Sequence, residues 1–253
     1  MAHEIPWRES TAPALPAELR AELARVWAYR QYNEAGAAKA FERLHGEWRA
    51  AGASAELVDA AAAAADEEAQ HAAICGRFVE LYSGGAAPEP KPFADMPRYA
   101  DATVEERALF GAVLMCAISE SVACVYLQTM LERAADAPIR AVHELFLAHD
   151  IRHSRLGWAY LAFDAHRSPD RVRALAERLP GMLALYRSGL GVRRPTALEH
   201  ADELLAGHGA LRPGESRELF DQALDNVLLP GFAEFGIPPE QLRENLRREN
   251  LRR

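Results

Sequence analysis

Residues Asp66-Glu67-Glu68-Ala69-Gln70-His71 and His149-Asp150-Ile151-Arg152-His153 carry one pattern twice, a carboxylate followed three residues later by a histidine. On an α-helix that spacing puts both side chains on one face, one turn apart. A lone Glu stands upstream of each pair: Glu34 lies 34 residues before Glu68, and Glu120 lies 30 before Asp150. The chain thus offers Glu34, Glu68, His71, Glu120, Asp150 and His153 from four helices, the ligand set of a carboxylate-bridged dinuclear metal site inside a bundle. A single carboxylate-x-x-histidine is a weak signal, because most lie on solvated faces. Two of them, each with its upstream Glu on a separate helix, make a strong joint one.

Working outward, apolar residues keep helical spacing from Ala17 to about Ala50, with Trp27, Glu34, Ala38 and Phe41 close to one stripe. Ser54 caps a second helix that reaches about Tyr82, where Gly84-Gly85 stops it. A crossover with Pro88, Pro90, Pro92 and Pro97 follows. Thr103 and Glu106 form a capping box that opens a third helix to about Ala135, and Asp136 with Pro138 turns the chain into a fourth, ending near His166. Helices of roughly 28–34 residues run ~40–50 Å at 1.5 Å per residue, long enough to hold a site at mid-height.

Two helical hairpins joined by one long connection give the expected fold: all-α, a ferritin-like four-helix bundle over 17–166 with additional C-terminal helices, preceded by an irregular arm, 1–16. The C-terminal segment, 167–253, shows helical stretches near 170–187, 196–207 and 214–235, broken by Pro180-Gly181, Pro195 and Pro213-Gly214. It is expected to pack on the bundle, over a substrate mouth or a homodimer seam. The run Arg243, Arg247, Arg248, Arg252, Arg253, interleaved with Glu244 and Glu249, reads as a solvated helix end.

Bulk properties exclude several classes. A net charge of −8 argues against a nucleic-acid partner. No basic-then-apolar leader and no uninterrupted apolar stretch of membrane-spanning length is visible, so the expected location is cytoplasmic, with no membrane partner. Cys75, Cys116 and Cys124 are odd in number and form no C-x-x-C pair, against a disulfide framework.

The donor set suits Fe(II) or Mn(II), whereas structural zinc favours thiolates. Four carboxylates balance the four positive charges of two divalent ions, and unbalanced buried charge is costly. On this reading two Glu bridge the metals, Glu120 among them, while open positions remain for O2.

Over 17–166 the chain resembles the ferritin-like diiron-carboxylate superfamily. His149-Asp150-Ile151-Arg152-His153 is similar to the Asp-Glu-x-Arg-His signature of bacterial multicomponent monooxygenase hydroxylases, and Glu67-Glu68-Ala69-Gln70-His71 is a looser version. The resemblance extends to ribonucleotide reductase small subunit-like proteins. It implies two iron ions, or a Mn/Fe pair, and an O2-dependent oxidase or oxygenase that hydroxylates, desaturates or N-oxygenates a small organic substrate. Electrons would come from a separate reductase, since no flavin or iron–sulfur motif is visible. It also implies that Glu67 and Arg152 pair across helices and orient a ligand histidine, with His149 and Gln70 acting alike on the other side. Two departures stand out: Asp150 replaces a Glu, which shortens its reach and suggests binding to one metal, and His149 replaces an acidic residue.

Cys75 lies four after His71, where the reductase small subunit has a tyrosine and the hydroxylases a cysteine. A stable tyrosyl radical at that position is therefore excluded. Cys124 lies four after Glu120, where the hydroxylases carry a threonine facing O2. Cys124 is read either as a small buried residue filling space, like Cys75 and Cys116, or as the catalytic neighbour of O2 and substrate. His143 is read as a core histidine or a third nitrogen ligand. Trp27, Phe41, Phe78, Tyr82, Phe146 and Tyr160 are expected in the core. His3, His45, His166, His200 and His208 are expected on the surface or in loops. Two competing readings remain: a ferroxidase or iron-storage protein, disfavoured by the roughly 85 residues beyond the fourth helix, and a metal-free interaction module, which would bury four uncompensated carboxylates. Rubrerythrin-type peroxidases are disfavoured by the absence of paired cysteines.

Overall fold

The computed structural model describes residues 4–85, 97–190, 198 and 201–252, and among them every regular element is a helix. Four long helices form the bundle: α1 (Ala17–Ala50), α2 (Ala55–Ser83), α3 (Val104–Arg133) and α4 (Ala137–Arg167). The starts of α2 and α3 follow the capping chemistry of the sequence. Ser54 Oγ accepts from the Leu57 amide, and Thr103 and Glu106 bond each other's backbone reciprocally. Gly84, at φ +67°, closes α2 in the left-handed conformation that glycine tolerates. Pro88, Pro90 and Pro92 of the expected crossover lie outside the described residues.

The apolar residues form two clusters stacked along the bundle. One takes Phe41, Leu44, Trp48, Ala61, Leu109, Val113 and Tyr160; the other takes Leu23, Trp27, Phe78, Tyr82, Met130, Ile139 and Phe146. On α1, α2 and α4 the ligand-type residues fall between the two: Glu34 between Ala28 and Ala40, Glu68 and His71 between Ala65 and Ile74, Asp150 and His153 between Phe146 and Tyr160. The polar layer is thus confined to mid-height, with dry packing above and below.

In α3 the structure departs from a regular helix. Residues Ala112–Glu120 form a π-helical stretch that ends on Glu120. The wider turn is matched by Gly157 of α4: a Cβ there would lie 2.4 Å from the Ala117 nitrogen and 2.6 Å from the Cys116 Cβ. Only a glycine lets α4 approach this closely, and the approach brings Glu120 to the Asp150–His153 pair. A Ser121–Ser154 hydroxyl bond of 2.7 Å fastens the same two helices beside the site. By length and composition α3 could cross a membrane, but 78% of its apolar window is buried within this bundle.

Beyond the bundle come α5 (Pro169–Gly189), α6 (Asp202–Gly207), α7 (215–233, with a π turn at Leu224–Leu228) and α8 (Pro239–Arg252). Pro180 was expected to break α5, yet the helix runs through it. Leu179, Pro180, Met182 and Leu183 are all buried, and that burial outweighs the ~3 kcal/mol of an internal proline. Of the expected 196–207 stretch, Leu198 and 201–207 are described, the latter ending in α6; 191–197, 199 and 200, with Pro195, are outside the described residues. The C-terminal helices share the first apolar cluster through Leu175, Phe220, Phe232 and Leu242. On α8, Arg243 pairs with Asp225 and Arg248 with Glu244, while Leu242 and Leu246 face inward.

The N-terminal arm contains two 3-10 turns, Trp7–Glu9 and Ala12–Ala14. Asp136, expected only as a turn residue, is 1% exposed and holds the arm: its Oδ2 accepts from the Thr11 amide at 2.6 Å and from the Ser10 and Thr11 hydroxyls at 3.0 Å.

Candidate metal centre

All six sequence-derived ligand residues converge. Glu68, Glu120, Asp150 and His153 offer donor atoms within 4.8 Å of one another, and Glu34, Glu68 and His71 form a second such group. Glu68 belongs to both. Its Oε1 lies 2.9 Å from His153 Nδ1 and its Oε2 3.5 Å from His71 Nδ1, so each oxygen faces a different histidine. Both imidazoles turn Nδ1 inward. Glu34 Oε2 is 3.8 Å from His71 Nδ1, and its side chain keeps 24% exposure where the other ligand-type residues are buried.

Asp150 and Glu120 both fall in the His153 group. Asp150 Oδ1 lies 3.8 Å from His153 Nδ1 and 4.0 Å from His71 Nδ1, between the two histidines. Glu120 joins only the His153 group. Glu68 is therefore the one carboxylate common to both groups, with Glu34 in the His71 group and Glu120 and Asp150 in the His153 group. The reason is positional: Asp150 and His153 rise from the same turn of α4, opposite Glu68 and His71 on α2, while Glu120 reaches in from the π stretch.

Glu68 Oε1, Asp150 Oδ1 and His153 Nδ1 are buried without a hydrogen-bond partner, since the 2.9 Å approach of His153 to Glu68 is not aligned as one. Buried polar atoms normally find partners. Three orphaned lone-pair donors converging on one point fit a cation.

The outer nitrogens are held differently. His153 Nε2 lies 2.8 Å from Glu67 Oε2, and Glu67 is in turn paired with Arg152, as expected from the resemblance. Behind His71 the expectation fails in part: Gln70 faces solvent, and it is His149 that acts, with Nδ1 3.0 Å from His71 Nε2. Phe146 stacks on His71 at 3.9 Å, and Phe41 lies 5.1 Å from His153, one aromatic from each apolar cluster.

Electrostatics reflect an acidic cluster in a dry layer. Burial, then repulsion from Asp150 and Glu68, holds the Glu120 carboxyl well above the usual range; burial and Glu68 do the same for Asp150. Burial pushes Glu34 up to about 7. For Glu68, burial is outweighed by its contacts with His153 and His71, which hold it well below the carboxylate range. For His71, burial is likewise outweighed, by Glu34 and Glu68, and its pKa rises to about 10.

Cys124 lies outside both ligand groups; burial and the neighbouring Asp150 and Glu120 push its thiol well up. Cys75 and Cys116 are fully buried. His143 is not among the donors: it is buried in the second cluster, and its Nε2 meets Arg30 Nη1 at 3.0 Å. The six aromatics expected in the core are all there. Of the histidines expected at the surface, His45 contacts Arg49 and His166 is exposed, and His3 and His200 lie outside the described residues. His208 is the exception, 2% exposed with Nδ1 2.8 Å from the Tyr82 hydroxyl. Its partner lies 126 residues away, so no local pattern marked it.

No family model, curated protein or solved structure matches the chain. Fold and site together define an all-α bundle that buries a carboxylate–histidine cluster able to hold metal ions.

Proposed function

We propose that this chain is a ferritin-like diiron-carboxylate oxidase or oxygenase that uses O2 to oxidise a small organic substrate, drawing electrons from a separate reductase in the cytoplasm. The observation that carries it is Glu68, which presents one oxygen to each of two inward-facing histidines inside a buried layer. Glu34, Glu68 and His71 would hold one ion; Glu68, Glu120, Asp150 and His153 the other, with Mn/Fe as the alternative pair. Two such ions supply redox chemistry toward O2 that no side chain here could perform.

The chain's own residues set the conditions. Four carboxylates neutralise the ions, the two apolar clusters exclude bulk water, and Glu67 and His149 fix the imidazole orientations. Cys124 is a neutral thiol, because burial and two nearby carboxylates retain its proton; its proposed catalytic role is to line the O2 and substrate side, not to attack as a thiolate.

Iron handling is the second reading. Glu34 leaves one end of the cluster partly open, as ion entry requires. Anaerobic loading with Fe(II), followed by O2 with absorbance monitored, separates the two. Two irons per chain and a short-lived visible band support the oxygenase reading. Continued oxidation of many irons per chain with mineral growth would replace it by storage, and failure to retain iron would overturn both.

A further inference from the structure

We propose that the two halves of the cluster bind metal unequally, the Glu120–Asp150–His153 half first and the Glu34–His71 half more weakly, and that His149 sets the difference. The inference rests on the metal-centre reading above and adds a positioning role for a residue outside the ligand set.

The two imidazoles differ in what stands behind them. His153 Nε2 faces a carboxylate, Glu67, 2.8 Å away and itself tied to Arg152. A hydrogen bond to an anionic acceptor is stronger than one to a neutral acceptor, and it raises the basicity of the opposite, metal-facing nitrogen. His71 Nε2 faces His149 Nδ1 at 3.0 Å. With His71 Nδ1 aimed into the cluster, its Nε2 carries the hydrogen, and His149 accepts it as an uncharged ring. His71 is thereby oriented, and strengthened as a donor less than His153 is by Glu67. Donor supply runs the same way: the His153 half has four buried groups, while the other has three, one of them the partly exposed Glu34. Both differences favour the same half.

Anaerobic titration of the full chain with Co(II), read by calorimetry and visible absorption, tests this. The wild type is expected to bind one ion per chain, then a second at least about 10-fold more weakly. His149→Phe removes the acceptor and should weaken the second step about 10–100-fold with the first unchanged. His149→Asn, whose Oδ1 can take the place of the ring Nδ1, should restore it. Glu67→Gln should weaken chiefly the first step. Two ions of equal affinity in the wild type, or equal weakening of both steps by His149→Phe, would overturn the inequality while leaving the metal centre standing. No Co(II) binding in the wild type would instead remove the metal centre itself.

Discussion

Gly157 lies so close to Ala117 that a Cβ on the glycine would sit 2.4 Å from the alanine's backbone nitrogen. The contact falls one turn beyond His153 and inside the π stretch that ends on Glu120, so it sets how closely Glu120 meets the Asp150–His153 pair. Gly157→Ala should force α3 and α4 apart. Overpacking costs about 1–3 kcal/mol, and the urea midpoint should fall accordingly. Metal affinity should fall as well, because Glu120 is withdrawn from His153. A variant with an unchanged midpoint would show the helices free to separate.

The pKa shifts give the chelator-treated protein an unusual pH dependence. Glu34, raised to about 7 from an ordinary value of 4.5, binds its proton in the folded state over that window and not when unfolded. Its contribution is full below the unfolded value and declines as pH rises towards 7. His71, raised to about 10, loses its contribution as pH rises from 6.5. Stability should therefore fall from pH 5.5 to 8, by of order 2 kcal/mol from Glu34 alone. Metal should reverse the trend, since ions displace those protons and bind more tightly as pH rises. Urea midpoints with and without Fe(II) at the two pH values check both signs.

Removing ligands should separate stability from metal binding. His71→Ala and His153→Ala are expected to abolish stoichiometric iron while far-UV circular dichroism stays helical. The double change Glu120→Gln with Asp150→Asn removes two carboxyls whose ionisation burial opposes. It should leave the chelator-treated protein at pH 8 as stable as the wild type or more so, with under one iron per chain. Retained iron in both histidine variants would refute the ligand assignment.

Asp136 anchors the N-terminal arm through three hydrogen bonds to Ser10 and Thr11. Asp136→Ala should cost about 1.5–3 kcal/mol, the range for bonds to a charged acceptor. It should also speed proteolysis within residues 4–16, read by mass spectrometry, without changing iron stoichiometry.

Cys124→Ala should keep two irons per chain and slow substrate oxidation or change its product distribution. If turnover and products both matched the wild type, the thiol would be space-filling like its fully buried neighbours Cys75 and Cys116.

The sequence by itself determined the four long helices, their caps and the six residues that converge, because caps and ligand pairs act within one or two turns and leave a local periodic trace. Ser54, the Thr103–Glu106 box and the two carboxylate-x-x-histidine pairs all work at that range. Only the tertiary structure decided that Glu68 is the carboxylate shared by both groups, and that His149 backs His71. It alone placed the π stretch against Gly157 and buried His208 against Tyr82. Each depends on how closely two helices approach and on how they are turned, which is fixed by packing between residues tens to more than a hundred positions apart and so leaves no periodicity to read.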